Sequence, residues 1–165
     1  GITKAYTTRV GEGPFPTEIK SKIGLKIAKN GNEFGSVTNR PRRCGWFDVV
    51  QCRKAIQIAG IDSVALTKID VLDDFKKIKI CYQYKVGRKK IHFMPSSNKT
   101  LNNVKPVYLT VDGWCANTTG IKNKKSLPKK AQEFIKIIDK LINIPIVFLS
   151  NGPDRNDIIN LRKID

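Results

Sequence analysis

Acidic side chains are scarce in this 165-residue chain, 14 against 31 basic ones, which leaves a net charge of +17. There is one histidine, His92, one methionine and four cysteines, Cys44, Cys52, Cys81 and Cys115, none of them in Cys-x-x-Cys spacing. A zinc centre needs clustered thiolate and imidazole ligands, so this distribution argues against one and suits ordinary reduced thiols. No apolar run approaches the ~18 residues that a membrane-spanning helix requires, and nothing resembles a signal peptide. The residues for a Ser/His/Asp or Cys/His nucleophile have no supporting pattern. The phosphate-cradling run G-x-x-x-x-G-K is also absent, so any nucleotide bound here must find its phosphate site elsewhere.

What is present is a chain with 40% hydrophobic residues, enough for a real core. A sequence pI near 9.9 invites a nucleic-acid partner. Only 8 of the 31 basic residues are arginine, however, and the lysines run along the whole chain. Lysine is a strongly hydrated point charge, whereas arginine is the planar fork suited to phosphates and bases. A Lys-rich solvated surface is therefore the preferred reading, with a basic nucleic-acid-binding module as the alternative.

The apolar pattern alternates between helix and strand. Residues 2–8 read as a strand entered directly from Gly1, as in a chain that begins inside a larger fold, and a Gly/Pro-rich loop follows at 10–17. Residues 19–29 read as a short helix interrupted by Gly24. Asp48 is a good N-cap for a helix with Val49, Cys52, Ile56 and Ala59 on one face, stopped by Gly60. Residues 63–66 form a buried strand ending at Thr67-Lys68-Ile69-Asp70. Residues 77–86 alternate, with Ile78, Ile80, Tyr82 and Tyr84 on one side. Gly87 turns them into a second strand at 91–94, and 106–110 is a further extended piece. Ser126 is placed to cap the last helix, with Pro128 in its first turn and Ala131, Phe134, Ile135, Ile138, Leu141 and Ile142 as its apolar stripe. Residues 144–149 form a buried strand that ends at Ser150-Asn151-Gly152. Two helix–strand–loop units imply an α/β fold: a mainly parallel sheet flanked by helices, with a small antiparallel hairpin. Ligands of such sheets sit outside the carboxyl ends of the strands, where both polar loops lie.

Three groups could carry chemistry. A carboxylate at a strand exit, Asp70, can accept from guanine N1–H and its 2-amino group, while adenine offers neither donor. The stem of Lys68 can lie along the purine face. An ordinary surface turn is the competing reading of this K-x-D run, and a simple strand-to-loop turn competes for Ser150-Asn151-Gly152. In residues 36–43, Arg40 and Arg42 can form bidentate pairs with carboxylates or phosphates, with Thr38 adding a hydroxyl; an exposed basic loop is the other reading. His92 reads as a hairpin residue, and Trp46 and Trp114 as packing anchors.

Five runs, KAYTTRVGEGPFPTE (4–18), NEFG (32–35), TNRPRRCGWFD (38–48), LTKIDVLD (66–73) and SNGPDR (150–155), together resemble the adenylosuccinate synthetase family in order and spacing. They span essentially the whole chain, which is similar to the C-terminal part of much longer enzymes. The resemblance implies a portion of a larger P-loop-like GTP-dependent ligase fold, with residues 1–165 as the C-terminal portion of a single catalytic domain. It implies a reaction that joins L-aspartate to IMP: GTP phosphorylates the IMP O6, and the aspartate amine then displaces the phosphate. The loop of Ser36, Val37, Thr38, Asn39, Arg40, Pro41 and Arg42 would bind aspartate. Arg40 and Val10 would meet IMP. Arg42, Lys68, Ile69, Asp70, Ser150, Asn151 and Gly152 would serve GTP. The catalytic base, the catalytic histidine, the phosphate loop and the Mg²⁺ ligands would all lie outside this chain, which is expected to be inactive alone. A cytoplasmic homodimer without membrane or nucleic-acid partners is implied as well. Two departures bear on aspartate. Asn39 stands where the family usually has glycine, and Val37 where a second threonine is common. Asparagine is the residue after glycine that best tolerates a positive φ, so the loop should keep its shape.

Overall fold

Short extended runs build three separate sheets among the described residues. The computed structural model describes residues 1–35 and 39–162. In chain order the elements are β1 (Ile2–Lys4), β2 (Thr7–Arg9), α1 (Lys22–Asn30), β3 (Arg43–Gly45), β4 (Phe47–Asp48), α2 (Val49–Ala59) and β5 (Val64–Thr67). They continue with β6 (Lys77–Val86), β7 (Lys89–Ile91), α3 (Asn98–Asn102), β8 (Lys105–Asp112), α4 (Lys129–Ile142), β9 (Ile146–Ser150) and β10 (Ile158–Asn160). The chain divides into two compact units, one made of Gly1–Ala5, Cys52–Ile78 and Thr110–Asp165, the other of Tyr6–Gln51 and Lys79–Leu109.

The first unit holds the sheet β1-β5-β9-β10. β1, β5 and β9 run parallel, with Thr3 opposite Leu66 and Leu66 opposite Leu149, and β10 returns antiparallel along β9. Val64, Leu66, Ile146 and Leu149 are buried, as are five of the six residues of the expected α4 stripe; Leu141 is half-buried. Asn143 closes α4 in the left-handed conformation at φ 61°, with its N–H on the Asp139 carbonyl. The Asp139 carboxylate then accepts from Ile146 N at 2.8 Å, which fixes the turn from helix to strand. Ser126 does not cap α4. It ends a short 3₁₀ turn that is capped by Asn123, and α4 starts after Pro128, whose missing N–H costs nothing there.

The second unit pairs β2 with β3, and β4, β7 and β8 with β6. The expected strand at 2–8 is thus two strands in two sheets, broken at the buried pair Ala5 and Tyr6. α1 runs through Gly24 without interruption, and the reason for the glycine is contact: a Cβ there would lie 1.9 Å from the Ile19 carbonyl oxygen. The hairpin forms around Gly87 at φ 57°, but its second strand is Lys89–Ile91, ending one residue before His92, and both strands belong to the sheet built on β6. Its core gathers Val50, Cys81, Tyr84, Ile91, Leu101 and Val104. Tyr82 is only half-buried while Cys81 is fully buried, so β6 departs from simple alternation at its middle. α2 buries only Val49 and Val50; Cys52 and Ile56 are half-buried and Ala59 is exposed.

Asp48 caps α2 as its position implies, accepting from Gln51 N at 3.1 Å, and its other oxygen accepts from the Tyr84 hydroxyl at 2.6 Å. Burial, only partly offset by these hydrogen bonds, pushes its pKa up to about 6 from an ordinary 3.8. The folded state therefore holds this proton more tightly than the unfolded chain. The resulting stability is full below pH ~4 and is lost as the pH rises through about 6, an effect on the order of 3 kcal/mol. Asp48→Asn removes the titration. Thermal unfolding of wild type and variant in parallel should show the variant gaining relative stability between pH 4 and 7.5. A difference that stays constant with pH would contradict this account.

Candidate functional site

The parallel pairing of β5 and β9 brings their carboxyl ends to one edge of the sheet, and Ile69 N donates to the Ser150 carbonyl at 3.4 Å across the two exits. The two sequence groups 68–70 and 150–152 are therefore neighbours. At the first exit Lys68 takes a left-handed conformation at φ 61°, a backbone state that a lysine adopts only under constraint. That turn buries Ile69 completely and starts a 3₁₀ turn at Asp70–Leu72.

Asp70 is half-buried, and its Oδ1 is sealed from solvent with no hydrogen-bond partner among the described residues. Burial raises its pKa. A hydrogen bond from its own backbone and the charge of Lys68 oppose the rise, while Asp73 and Asp157 add to it. An oxygen held dry and unpaired is costly, and Oδ1 keeps its acceptor capacity open. It lines a cavity of about 320 Å³ with Asp73, Asp74, Cys115, Ala116 and Asn117. That volume lies at the small end of ligand sites.

At the second exit Ser150 Oγ donates to the Gly152 carbonyl at 3.2 Å. Asn151 is fully buried, donates through Nδ2 to the carbonyls of Thr118 and Ile121, and keeps an unpartnered Oδ1. Its backbone N–H donates to the Asp157 carbonyl at 3.0 Å. Gly152 is required by close approach: a Cβ there would lie 2.2 Å from Asp157 Oδ2. Asp157, almost fully buried, is itself held by Lys122 at 3.0 Å.

The basic loop lies in the other unit. Ser36, Val37 and Thr38 fall outside the described residues. The stem of the loop is a short hairpin: Arg42 N donates to the Glu33 carbonyl at 2.8 Å, Phe34 pairs with Pro41, and Gly35 N donates to the Arg40 carbonyl at 2.9 Å. Asn39 takes the left-handed conformation at φ 51°, as its substitution for glycine implies. Below the stem, the fully buried Glu33 accepts from Arg42 Nη1 at 2.9 Å and from the buried Tyr6 hydroxyl at 2.5 Å. Arg42 Nε is buried and has no partner among the described residues. Arg40 is exposed and lies 3.9 Å from Glu12, in the loop that carries the exposed Val10. A bidentate pair of Arg43 with Glu18, at 2.8 Å through both nitrogens, lowers the Glu18 pKa and braces that loop through the carbonyls of Gly11 and Gly13.

Tyr6, Glu33, Asp73, Trp114, Thr118, Lys122 and Asp157 were not singled out for such roles by sequence reasoning, apart from Trp114 as an anchor. Trp114 is one: it is buried, lies 5.6 Å from the Phe134 ring and donates to Asp73. Trp46 is buried too, and His92 is exposed beside Gln83. Tyr6, Glu33 and Asp73 lie within the runs KAYTTRVGEGPFPTE, NEFG and LTKIDVLD, while Thr118, Lys122 and Asp157 are joined to the site by contacts between residues far apart in sequence. The described residues hold no group of three or more His, Cys, Asp or Glu side chains that could hold a metal ion. No helix among them is long and apolar enough to cross a membrane.

Known proteins match this chain in sequence and in fold. The sequence model of adenylosuccinate synthetase matches residues 1–159. Adenylosuccinate synthetase of Aquifex aeolicus is 48% identical over 164 residues, which are 99% of this chain and 38% of that relative. The structure of fully ligated adenylosuccinate synthetase from Plasmodium falciparum superposes with a TM-score of 0.93 at 33% identity, covering 98% of this chain and 39% of the other. The chain thus spans about two-fifths of the length of these relatives. With matched sequence and matched fold over nearly every residue, it belongs to the adenylosuccinate synthetase family.

Proposed function

We propose that this chain is the guanine- and aspartate-binding portion of a GTP-dependent ligase that joins L-aspartate to IMP, forming adenylosuccinate in purine nucleotide synthesis. The observation that carries the reading is the adjacency of two strand exits, one with a dry, unpaired Asp70 oxygen and the other with Asn151. In this reading Asp70 accepts from guanine N1–H and the 2-amino group. Lys68 and Ile69 frame the base from the same exit, and Ser150, Asn151 and Gly152 close it from the next. Adenine would leave the Asp70 charge buried and unpaired, which is the origin of selectivity.

The segment Ser36, Val37, Thr38, Asn39, Arg40, Pro41 and Arg42 takes the aspartate. Arg40 and the loop at Val10 also serve IMP, and Arg42 the GTP. The Glu33 carboxylate beneath Arg42 fixes one face of its guanidinium and leaves the rest for an anion. Residues 1–165 are in this reading the C-terminal portion of one larger catalytic domain, which works as a cytoplasmic homodimer. Phosphoryl transfer depends on positioned cations and dipoles about the phosphates. The phosphate loop, the acid–base groups and the Mg²⁺ ligands are assigned to the remainder of the longer polypeptide.

Asp70→Ala in the longer enzyme should raise the KM for GTP roughly 10- to 100-fold and relax the preference for GTP over ATP. Steady-state rates with both nucleotides test it, and an unaltered preference would overturn the guanine role. The purified 165-residue chain, given IMP, GTP, aspartate and Mg²⁺, should form no adenylosuccinate; detectable turnover would contradict the division of labour.

A further inference from the structure

The two strand exits are also joined through a third segment, on which no ligand role has been placed. Asp73 follows the 3₁₀ turn of the first exit. Its Oδ1 accepts from Trp114 Nε1 at 2.6 Å and from Thr118 Oγ1 at 2.9 Å, and its Oδ2 accepts from Thr118 N at 2.7 Å. Thr118 is fully buried, and its carbonyl accepts from Asn151 Nδ2 at the second exit. The other Nδ2 hydrogen goes to the Ile121 carbonyl at 2.9 Å.

Both amide hydrogens of Asn151 are thereby committed to backbone carbonyls. A carboxamide turned over would set its oxygen against two carbonyl oxygens, so the group has one orientation. Asp73, with three donors on its carboxylate, is spent structurally. Asp70, three residues earlier, keeps an oxygen unpaired. The two carboxylates have divided the work between bracing and accepting.

We propose that Asp73 and Thr118 are positioning residues for base recognition. They form a buried strut that holds the Asn151 carboxamide with its oxygen as the unpaired atom and fixes the spacing between the two strand exits. The inference rests on the guanine reading above and deepens it. The strut gives this edge of the sheet acceptors without a free side-chain amide donor at Asn151, which suits a base that brings its own N–H groups.

The test uses the longer enzyme with Thr118→Val, which keeps the side-chain shape but removes the hydroxyl donor, Thr118→Ser, which keeps the donor, and Asp73→Asn. Thr118→Val and Asp73→Asn should raise the KM for GTP roughly tenfold and narrow the preference for GTP over ITP, which lacks the 2-amino group. The KM values for aspartate and IMP should stay within twofold, and Thr118→Ser should behave as wild type. Trp114→Phe removes a donor to Asp73 without touching Thr118. It should leave the KM for GTP within twofold even where it lowers Tm, which separates positioning from general stability. If Thr118→Val and Asp73→Asn keep the wild-type KM for GTP while Asp70→Asn raises it, the strut is overturned and the guanine reading stands. If Asp70→Asn also leaves that KM unchanged, the guanine reading falls and takes this inference with it. Should Asp73→Asn fail to fold, the contrast between Thr118→Val and Thr118→Ser decides alone.

Discussion

The parallel ladder between β5 and β9 is the constraint on which the candidate base site depends. Parallel strands share a direction, so their carboxyl ends meet one edge, and the pairing of Leu66 with Leu149 puts Thr67 and Ser150 nearly level. A slip of one residue would turn each side chain to the opposite face of the sheet. Two features of that edge go with this registration: the bond from Ile69 N to the Ser150 carbonyl and the left-handed Lys68 that releases the chain into a 3₁₀ turn.

A second recurring device is the buried acidic side chain that orients something else. Glu33 holds Arg42, Asp48 holds Tyr84 and the first turn of α2, Asp73 holds Thr118 and Trp114, and Asp157 accepts from Lys122 and from Asp154 N. In a chain with only 14 acidic residues this is a concentrated use of them. Each sits among N–H or O–H donors because a buried carboxylate without them would be costly. Asp70 stands apart, since one of its oxygens has no donor among the described residues.

Much of this was legible in the sequence. Apolar runs with glycine or asparagine stops located β5, β9 and α4, and the placement of Asp70 and Ser150 directly after buried strands pointed to one edge. The N-cap at Asp48 and the positive φ at Asn39 followed from residue chemistry. What escaped were features decided by distant contacts. Gly24 looked like an interruption because its neighbour, the Ile19 carbonyl, is invisible to periodicity. Ser126 looked like a cap because the separate 3₁₀ turn started by Asn123 has no strong signature. Residues 2–8 looked continuous because local propensity does not report a change of sheet. The strut through Thr118 links positions 73, 118 and 151, and no local pattern encodes that.

Charge is distributed unevenly at one place. The chain as a whole carries +17, yet the cavity at the exit of β5 is walled by three aspartates and no lysine or arginine. Under the proposed function, a nucleotide's phosphates would be attracted at long range by the net charge of the chain and repelled at this particular mouth. The two effects together would favour approach with the heterocycle leading and the anionic tail trailing. In that reading orientation would be biased during the encounter, before any hydrogen bond to the base had formed.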